Sequence, residues 1–297
     1  MSAGGVVGVI GLGVMGRPMA ANVLSKNRDV TVRVTARRPD AAKELVAAGA
    51  EWHETSASLA DGADLIILVL PDLPEVEAVL YGEDGILAGN SGDLILVICS
   101  TSSPTGVRAL AVRLHEDTDG RIRVVDAPVS GGEEGATAGT LSIMVGGDTE
   151  VVAAATSVLT ACGRPVHLGP LGAGQVAKAC NQMIVAATVL ALGEAAVLAD
   201  RSGINVGQLF ELFDGGYAAS RILETRGPRM VAEDYTPSGV AKYLLKDLRY
   251  AADVAEETAT RTALLPTLRS AFEDLVGSGL GDSDMAVTRR YIEERSG

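Results

Sequence analysis

Short apolar runs recur through the first half of the chain, and amphipathic helix-like segments separate them. The runs at 65–70 and 94–99 are apolar throughout, which is typical of strands buried on both faces of a parallel sheet. The alternation predicts an α/β fold with a doubly wound parallel sheet. The predicted strands are 6–10, 30–35, 51–54, 65–70, 94–99, 123–126, 142–145 and 166–168, and the predicted helices are 18–24, 40–48, 58–60, 75–80, 105–115 and 151–161.

The pattern changes in the second half, where no strand-like run appears. One helical pattern continues from 174 to 199 without a proline, and further helices fit 206–213, 220–224, 240–259, 264–275 and 284–291. We therefore expect a Rossmann domain over residues 1–165 and an all-helical C-terminal domain over 166–297, built on one long helix. A helix longer than ~25 residues usually needs a neighbour along its length. Since this one is rich in alanine, we expect a homodimer or homotetramer through the helical domain.

The first predicted strand leads directly into a glycine-rich turn. Gly11, Gly13 and Gly16 have the G-x-G-x-x-G spacing of a dinucleotide-binding turn, with a strand before them and a helix after them. Gly11 permits the sharp turn, Gly13 lets the backbone approach a pyrophosphate, and Gly16 lets the helix lie against the sheet. The alternative is a turn that binds nothing. The predicted cofactor-binding turn comprises Gly11, Leu12, Gly13, Val14, Met15 and Gly16.

The residues after the second predicted strand bear on the choice of cofactor. NAD sites usually have an acidic residue here that binds the ribose 2′-hydroxyl, whereas this chain has Ala36, Arg37 and Arg38. A guanidinium suits a 2′-phosphate because it makes paired, charge-assisted hydrogen bonds. The residues therefore favour NADP(H), with NAD(H) possible. Alternatively, the arginines are solvated loop charges or stack on adenine without selecting the cofactor.

Composition and charge argue against several classes of function. Apolar residues make up 47% of the 297 positions, and the net charge of −13 argues against binding to nucleic acid or an anionic membrane. The most apolar stretch, 183–192, is too short to span a bilayer of ~30 Å, and we expect a cytoplasmic protein. Cys99, Cys162 and Cys180 have no metal-ligand spacing, so we expect no metal site and three small buried thiols in a reducing compartment.

Candidate site residues follow the predicted strands, because cofactor sites of this class lie at the carboxyl ends of the strands. Leu70 with Pro71, and Ser100 with Thr101, stand at the carboxyl ends of two buried strands. Ser130, Gly131 and Gly132 follow another, and successive backbone N–H groups in such a turn can form a concave anion site. The alternative for this last turn is a glycine-rich hairpin without a ligand.

One lysine stands near the start of the long predicted helix. Lys178 lies in its first turn among apolar residues, with Asn181 and Gln182 three and four residues later on the same face. A cation is unfavourable at a helix N-terminus, and burial adds to the preference for the neutral amine. These conditions suit a general acid or base. A surface lysine that extends from an apolar face is an equally simple interpretation.

Together these motifs resemble the β-hydroxyacid dehydrogenase family, which contains 3-hydroxyisobutyrate dehydrogenase, tartronate semialdehyde reductase and, more distantly, 6-phosphogluconate dehydrogenase. The resemblance covers essentially the whole chain. Asn181-Gln182, Gly215-Gly216 with Ser220, and 279–281 look most like tartronate semialdehyde (2-hydroxy-3-oxopropionate) reductases. The matching segments are 11–22, 70–71, 126–132, 139–141, 144–147, 172–175 with Lys178, and 246–248.

The resemblance implies roles for individual residues. Lys178 matches the catalytic lysine and Ser130, Gly131 and Gly132 match the loop that binds the substrate carboxylate. Asn181 and Gln182 would orient the substrate oxygens. Leu70, Pro71, Thr101 and Lys246 match positions that bind the cofactor, the last two near the nicotinamide. The chain departs from the family at Ile98, often an aspartate, and at Ala36, an aspartate in NAD-preferring relatives.

The expected function is a hydride transfer between a nicotinamide cofactor and a short 3-oxo acid such as tartronate semialdehyde, with Lys178 as general acid/base. A 3-hydroxyisobutyrate dehydrogenase, or a dehydrogenase of another short hydroxyacid, is the alternative within the family. An imine reductase and a non-catalytic cofactor-binding module are the alternatives outside it. Imine reductases generally lack the lysine and the Ser-Gly-Gly loop, so Lys178 and Ser130 argue against that assignment.

Overall fold

The computed structural model describes residues 5–297. The chain divides into two compact units, the first ending at Lys178 and the second comprising Ala179–Gly297. The domain boundary that the sequence predicts between residues 165 and 166, with cofactor binding assigned to the first domain, stays a prediction.

The first unit is built on one sheet, which has nine strands within the described residues. Six parallel strands lie in the order β3-β2-β1-β4-β5-β6, the order of a Rossmann fold. β8 then pairs antiparallel to β6 and β7, and β9 pairs parallel to β8. The strands are β1 Val6–Ile10, β2 Thr31–Thr35, β3 Glu51–Trp52, β4 Leu65–Leu68, β5 Leu94–Ile98, β6 Ile122–Asp126, β7 Val129–Ser130, β8 Leu141–Gly146 and β9 Gly163–Gly169.

Helices cover both faces of this sheet. Alternate residues of β4 belong to different core clusters: Leu65 and Ile67 to one, Ile66 and Leu68 to the other. Burial on both faces explains why this strand is apolar throughout. The helices are α1 Gly16–Lys26, α2 Lys43–Ala47, α3 Ser56–Ala60, α4 Leu73–Tyr81, α5 Ile86–Gly89, α6 Pro104–Asp117, α7 Gly132–Ala138 and α8 Thr149–Leu159, with a 3-10 turn at Pro39–Ala42.

The long helix α9, Ala173–Arg201, begins in the first unit and continues into the second. Within 179–297, all of it described, the only strand pairing is an isolated bridge between Val240 and Asp284. Phe272 is fully buried in a core that the helices of this unit share. They are α10 Val206–Asp214, α11 Arg221–Val231, α12 Ala241–Glu257, α13 Leu265–Gly277 and α14 Thr288–Arg295, with a 3-10 turn at Met285–Val287. The predicted α/β sheet followed by an all-helical domain is confirmed.

Several elements differ from prediction. The sheet is not wholly parallel, because β8 runs antiparallel to β6 and to β7. β4 ends at Leu68, and the Leu70 N–H instead donates to Ser100 Oγ at 3.1 Å. α11 does not stop at 224 but continues through Pro228, with Gly227 packed against Leu223 and Phe210.

The most apolar stretch, 183–192, belongs to the longer helix α9, which by length and composition alone is long enough to cross a bilayer. Within the described residues, α9 has an 18-residue window with a mean hydropathy of 1.8. Inside the structure 44% of that window is buried, and core helices of soluble proteins meet the same criteria.

The three thiols differ in environment. Cys99 and Cys162 are buried as predicted, but Cys180 is exposed on α9, so the expectation of three buried thiols is wrong. Burial raises the pKa of the Cys162 thiol to about 12 and also raises the pKa of Cys99. Because the thiolate is the reactive form, neither buried thiol is reactive near neutral pH.

We therefore expect one thiol per chain to react with a chromogenic disulfide reagent in the native protein at pH 7.5. All three should react after denaturation, and Cys180→Ser should abolish the native reaction. Rapid native labelling of two or three thiols, counted by absorbance, would contradict the burial of Cys99 and Cys162.

Candidate active site

The glycine-rich turn joins β1 to α1, and each glycine meets a different environment. Gly11 has φ +99°, and an added Cβ there would overlap the backbone carbonyl of Val69. A Cβ at Gly16 would overlap the carbonyl oxygen of Gly11. At Gly13 an added Cβ would have nothing within 4 Å. Gly11 and Gly16 are thus required by packing, whereas Gly13 leaves open space.

The rest of the turn is suited to an anionic ligand. Leu12 is buried, while Val14 is exposed and Met15 partly so. No side chain caps the start of α1, and its first turn carries no acidic residue. The N–H groups there and the positive end of the helix dipole are therefore free of a competing carboxylate, a condition that favours anions such as dinucleotide phosphates at helix starts.

Arg37 and Arg38 follow β2 at the same edge of the sheet. β1 and β2 are parallel and in register, with Ile10 opposite Thr35, so the arginines and the glycine turn both follow carboxyl ends. Both arginines are exposed, and among the described residues neither guanidinium takes part in a salt bridge. Arg38 does lower the pKa of Asp40, an effect in which Lys43 has the larger share.

The ends of β4 and β5 bring further predicted residues to this edge. Leu68 lies opposite both Ile10 and Ile98 in the parallel register. Leu70 and Thr101 are half-buried and Pro71 is exposed. The hydrogen bond from Leu70 N–H to Ser100 Oγ joins the two loops that contain them.

Ser130 ends β7, and a partly exposed turn through Gly131 and Gly132 leads from it into α7. Ser130 pairs with Ser142 of β8, while Gly131 and Gly132 have φ values of +137° and +66°. Only glycine adopts such a pair of conformations readily. Glu133 and Glu134 follow in the first turn of α7, and both are exposed.

The start of α9 is held by a carboxylate that lies inside the first unit. Asp126, the last residue of β6, is fully buried. Its Oδ1 accepts from the Gly172 N–H and its Oδ2 from the Gln175 N–H, both at 2.7 Å. Burial raises the pKa of Asp126, and the backbone N–H groups of Gly172, Gln175 and Gly174 oppose that rise.

The side chain of Gln175 makes a second connection to the sheet. It is 1% exposed, and its Nε2 donates to the Ser100 carbonyl at 2.8 Å. Its Oε1 accepts from the Ser102 N–H at 3.0 Å. The amide thus binds the backbone on both sides of Thr101.

Lys178 follows one turn after Gln175. It is the sixth residue of α9 and lies in the second helical turn, not the first as predicted, because α9 begins at Ala173. Its side chain is buried, with 7% of its surface exposed, which is rare for a lysine. A solvated surface lysine is therefore excluded.

The second unit brings together the other predicted polar residues through Asp247. Gln182 Nε2 donates to Asp247 Oδ2 at 2.6 Å, and Asn181 Nδ2 donates to Gln182 Oε1 at 2.9 Å. Lys246 Nζ lies 3.7 Å from Asp247 Oδ1 and stacks over the ring of Tyr250. Asp247 is almost wholly buried on α12.

The sequence alone assigns no role to Asp126, Gln175 or Asp247, although all three lie in the segments that resemble the β-hydroxyacid dehydrogenase family. One usable signal was Asp126 itself, because a charged residue that ends a buried strand must find donors inside the fold. The partners of Gln175 and Asp247 are distant in sequence, so no local pattern reveals them. Among the described residues there is no cluster of potential metal ligands.

Two family models match the chain. The NAD binding domain of 6-phosphogluconate dehydrogenase matches residues 6–178, and the NAD-binding domain of NADP-dependent 3-hydroxyisobutyrate dehydrogenase matches residues 172–292.

Characterised relatives match over almost their full length. An NAD-dependent L-serine dehydrogenase of Pseudomonas aeruginosa is 33% identical, covering 98% of this chain and 99% of the relative. A 2-hydroxy-3-oxopropionate reductase of Escherichia coli is 35% identical, covering 97% of each. The crystal structure of a 3-hydroxyisobutyrate dehydrogenase from Salmonella typhimurium has a TM-score of 0.88 at 26% identity, covering 96% of this chain and 99% of that one. The chain therefore belongs to the 3-hydroxyisobutyrate dehydrogenase-like family of nicotinamide-dependent oxidoreductases.

Proposed function

We propose that this enzyme is an NADP-dependent reductase of short 3-oxo acids, with tartronate semialdehyde as the substrate and Lys178 as the general acid. The observation that carries the proposal is the buried Lys178, held one turn after a residue that binds the backbone around Thr101. In the reverse direction the same enzyme oxidises glycerate.

The first unit fits the cofactor. Gly13 leaves room for a pyrophosphate against the backbone, and the uncapped start of α1 supplies donors for it. Arg37 and Arg38 are exposed and available for a 2′-phosphate. Leu70, Pro71 and Thr101, at the same carboxyl edge, would line the nicotinamide end.

When bound, the nicotinamide supplies a hydride to the aldehyde carbon or accepts one from the alcohol. Lys178 gives a proton to the oxygen that becomes the hydroxyl, and it removes that proton in the reverse direction. The backbone N–H groups of Ser130, Gly131 and Gly132 hold the substrate carboxylate. Proton transfer of this kind contributes ~10²–10⁴-fold to the rate.

In the second unit, the hydrogen-bonded series Asp247, Gln182 and Asn181 favours a substrate with a second hydroxyl group. A carboxylate can only accept hydrogen bonds, so Asp247 orients the NH₂ group of Gln182 toward itself. Gln182 Oε1 then faces the NH₂ group of Asn181, which leaves Asn181 Oδ1 as an acceptor. A hydroxyl beside the aldehyde can donate to it, whereas the methyl group of a 3-hydroxyisobutyrate-type substrate cannot. 3-Hydroxyisobutyrate stays the alternative substrate.

Exposed apolar side chains on α9 bear on the oligomeric state of the enzyme. Ile184 and Leu198 are exposed on α9 within the second unit, at 62% and 70%. We propose that this helix contributes to a subunit interface in a homodimer or homotetramer, and that the enzyme acts in the cytoplasm.

Replacing Lys178 with alanine should lower kcat for tartronate semialdehyde by at least ~10²-fold, because the proton donor is lost. The dissociation constant for NADPH, measured by fluorescence, should stay within about threefold of wild type. The assay panel should include glycerate, 3-hydroxyisobutyrate, L-serine and a cyclic imine, each with both cofactors.

Lys242→Ala is the matched control, since Lys242 is exposed and paired with Asp282. Near-normal turnover by Lys178→Ala would refute its assignment as acid. Faster turnover of 3-hydroxyisobutyrate than of glycerate by the wild type would refute the proposed substrate.

The two glycines of the turn should respond oppositely to alanine. Gly16→Ala should lower the free energy of unfolding by about 1–3 kcal/mol because its Cβ overlaps backbone. Gly13→Ala should leave stability within about 0.5 kcal/mol, yet raise the dissociation constant for NADPH at least tenfold, a loss of about 1.4 kcal/mol. Denaturant titration and NADPH fluorescence measure the two effects. Wild-type NADPH affinity in Gly13→Ala would contradict the placement of the pyrophosphate.

The double variant Arg37→Ala, Arg38→Ala should raise KM for NADPH by about 10–100-fold, since charge-assisted hydrogen bonds contribute about 1.5–3 kcal/mol. KM for NADH should change by less than about twofold, because that cofactor has no 2′-phosphate. Arg290→Ala, an exposed arginine paired with Glu294, is the control. Equal effects on both cofactors would contradict the NADP assignment.

A further inference from the structure

The start of α9 is packed against strand ends with no room for side chains between them. A Cβ at Gly174 would lie 2.8 Å from Asp126 Oδ2 and would overlap the Met144 carbonyl oxygen. A Cβ at Gly146 would lie 2.9 Å from the Ala173 nitrogen. With the two hydrogen bonds from Gly172 and Gln175 to Asp126, these contacts fix the first turn of α9 against β6 and β8.

Gln175 belongs to that same first turn and reaches the loop after β5. Its amide binds the carbonyl of Ser100 and the N–H of Ser102, so the backbone of Thr101 is held from both sides. Lys178 lies three residues further along the helix. One rigid turn of helix therefore connects the residue proposed to contact the nicotinamide with the residue proposed to move the proton.

We propose that Asp126 and Gln175 are positioning residues that set Lys178 relative to the Thr101 loop, an inference that rests on the proposed function. Reduction of a carbonyl delivers hydride to the carbon and a proton to the oxygen bonded to it. The two donors must therefore be placed together, and a misplacement of 1 Å can cost ~10²-fold in rate. The carboxylate of Asp126 suits this task because it is acceptor-only and can accept from two backbone N–H groups at once.

Two near-isosteric variants test the inference. Gln175→Met removes both hydrogen bonds of the amide, and Asp126→Asn places an NH₂ group against one of the two backbone N–H donors. We expect kcat for tartronate semialdehyde to fall at least about tenfold in each. The dissociation constant of Asp126→Asn for NADPH should stay within about threefold, since that substitution does not touch the Thr101 loop.

Thr118→Val is the matched control. Thr118 is buried in the same unit, and its hydroxyl also makes two hydrogen bonds to backbone, with the Leu114 carbonyl and the Ile122 N–H. A general loss of stability should lower the melting temperature of all three variants, but only the Asp126 and Gln175 variants should lose turnover. Equal losses of turnover in all three would overturn the inference.

The environment of Lys178 can also be measured by NMR, without any substrate. The chain has five lysines, Lys26, Lys43, Lys178, Lys242 and Lys246, so isotope-labelled lysine gives an NMR spectrum that Lys178→Arg can assign. The shift and the titration curve of Lys178 should change in both positioning variants, while the other four signals and the Thr118→Val spectrum stay as in wild type. An unchanged Lys178 signal would overturn the inference. If the wild type turns over no hydroxyacid, the proposed function fails, and these spectra still decide whether the two residues position the lysine.

Discussion

A carboxylate buried at the end of a strand must find hydrogen-bond donors, and here the backbone at the start of α9 provides them. Asp126 has no exposed surface, and its two oxygens accept from Gly172 and Gln175. Burying this carboxylate without donors would cost far more free energy than the net stabilisation that two hydrogen bonds usually give. The position of the first turn of α9 against β6, and with it the position of Lys178 in the first unit, follows from this requirement.

Each unit positions a different group of the predicted site residues. In the first, the carboxyl ends of β1, β2, β4 and β5 place the glycine turn, the two arginines and the Thr101 loop at one edge of the sheet. In the second, Asp247 orients Gln182 and through it Asn181. In both units an acceptor-only carboxylate, Asp126 or Asp247, accepts the hydrogen bonds that hold these residues in place.

The sequence predicts the fold well where burial alone decides the structure. Strands such as Leu65–Leu68 and Leu94–Ile98 are buried on both faces, so their apolar runs identify them directly. The sequence does not reveal the antiparallel pairing of Val129–Ser130 with β8, because two residues are too few to show a pattern. Gly227 and Pro228 resemble a helix end, so the sequence indicates too short a helix, whereas in the structure α11 continues through both residues and packs on Phe210. Cys180 was expected to be buried, but apolar neighbours on a helix do not reveal which face lies outward.

For the site, motif spacing predicts which residues to consider, but not the long-range hydrogen bonds that hold them. The most direct test of the account is a crystal structure of the enzyme with NADP and glycerate. We expect Lys178 Nζ to lie within about 2.6–3.2 Å of the oxygen of the hydroxyl group that is oxidised to the aldehyde. The glycerate carboxylate should lie on the backbone of Ser130, Gly131 and Gly132. A glycerate bound elsewhere, with Lys178 Nζ directed into bulk solvent, would contradict it.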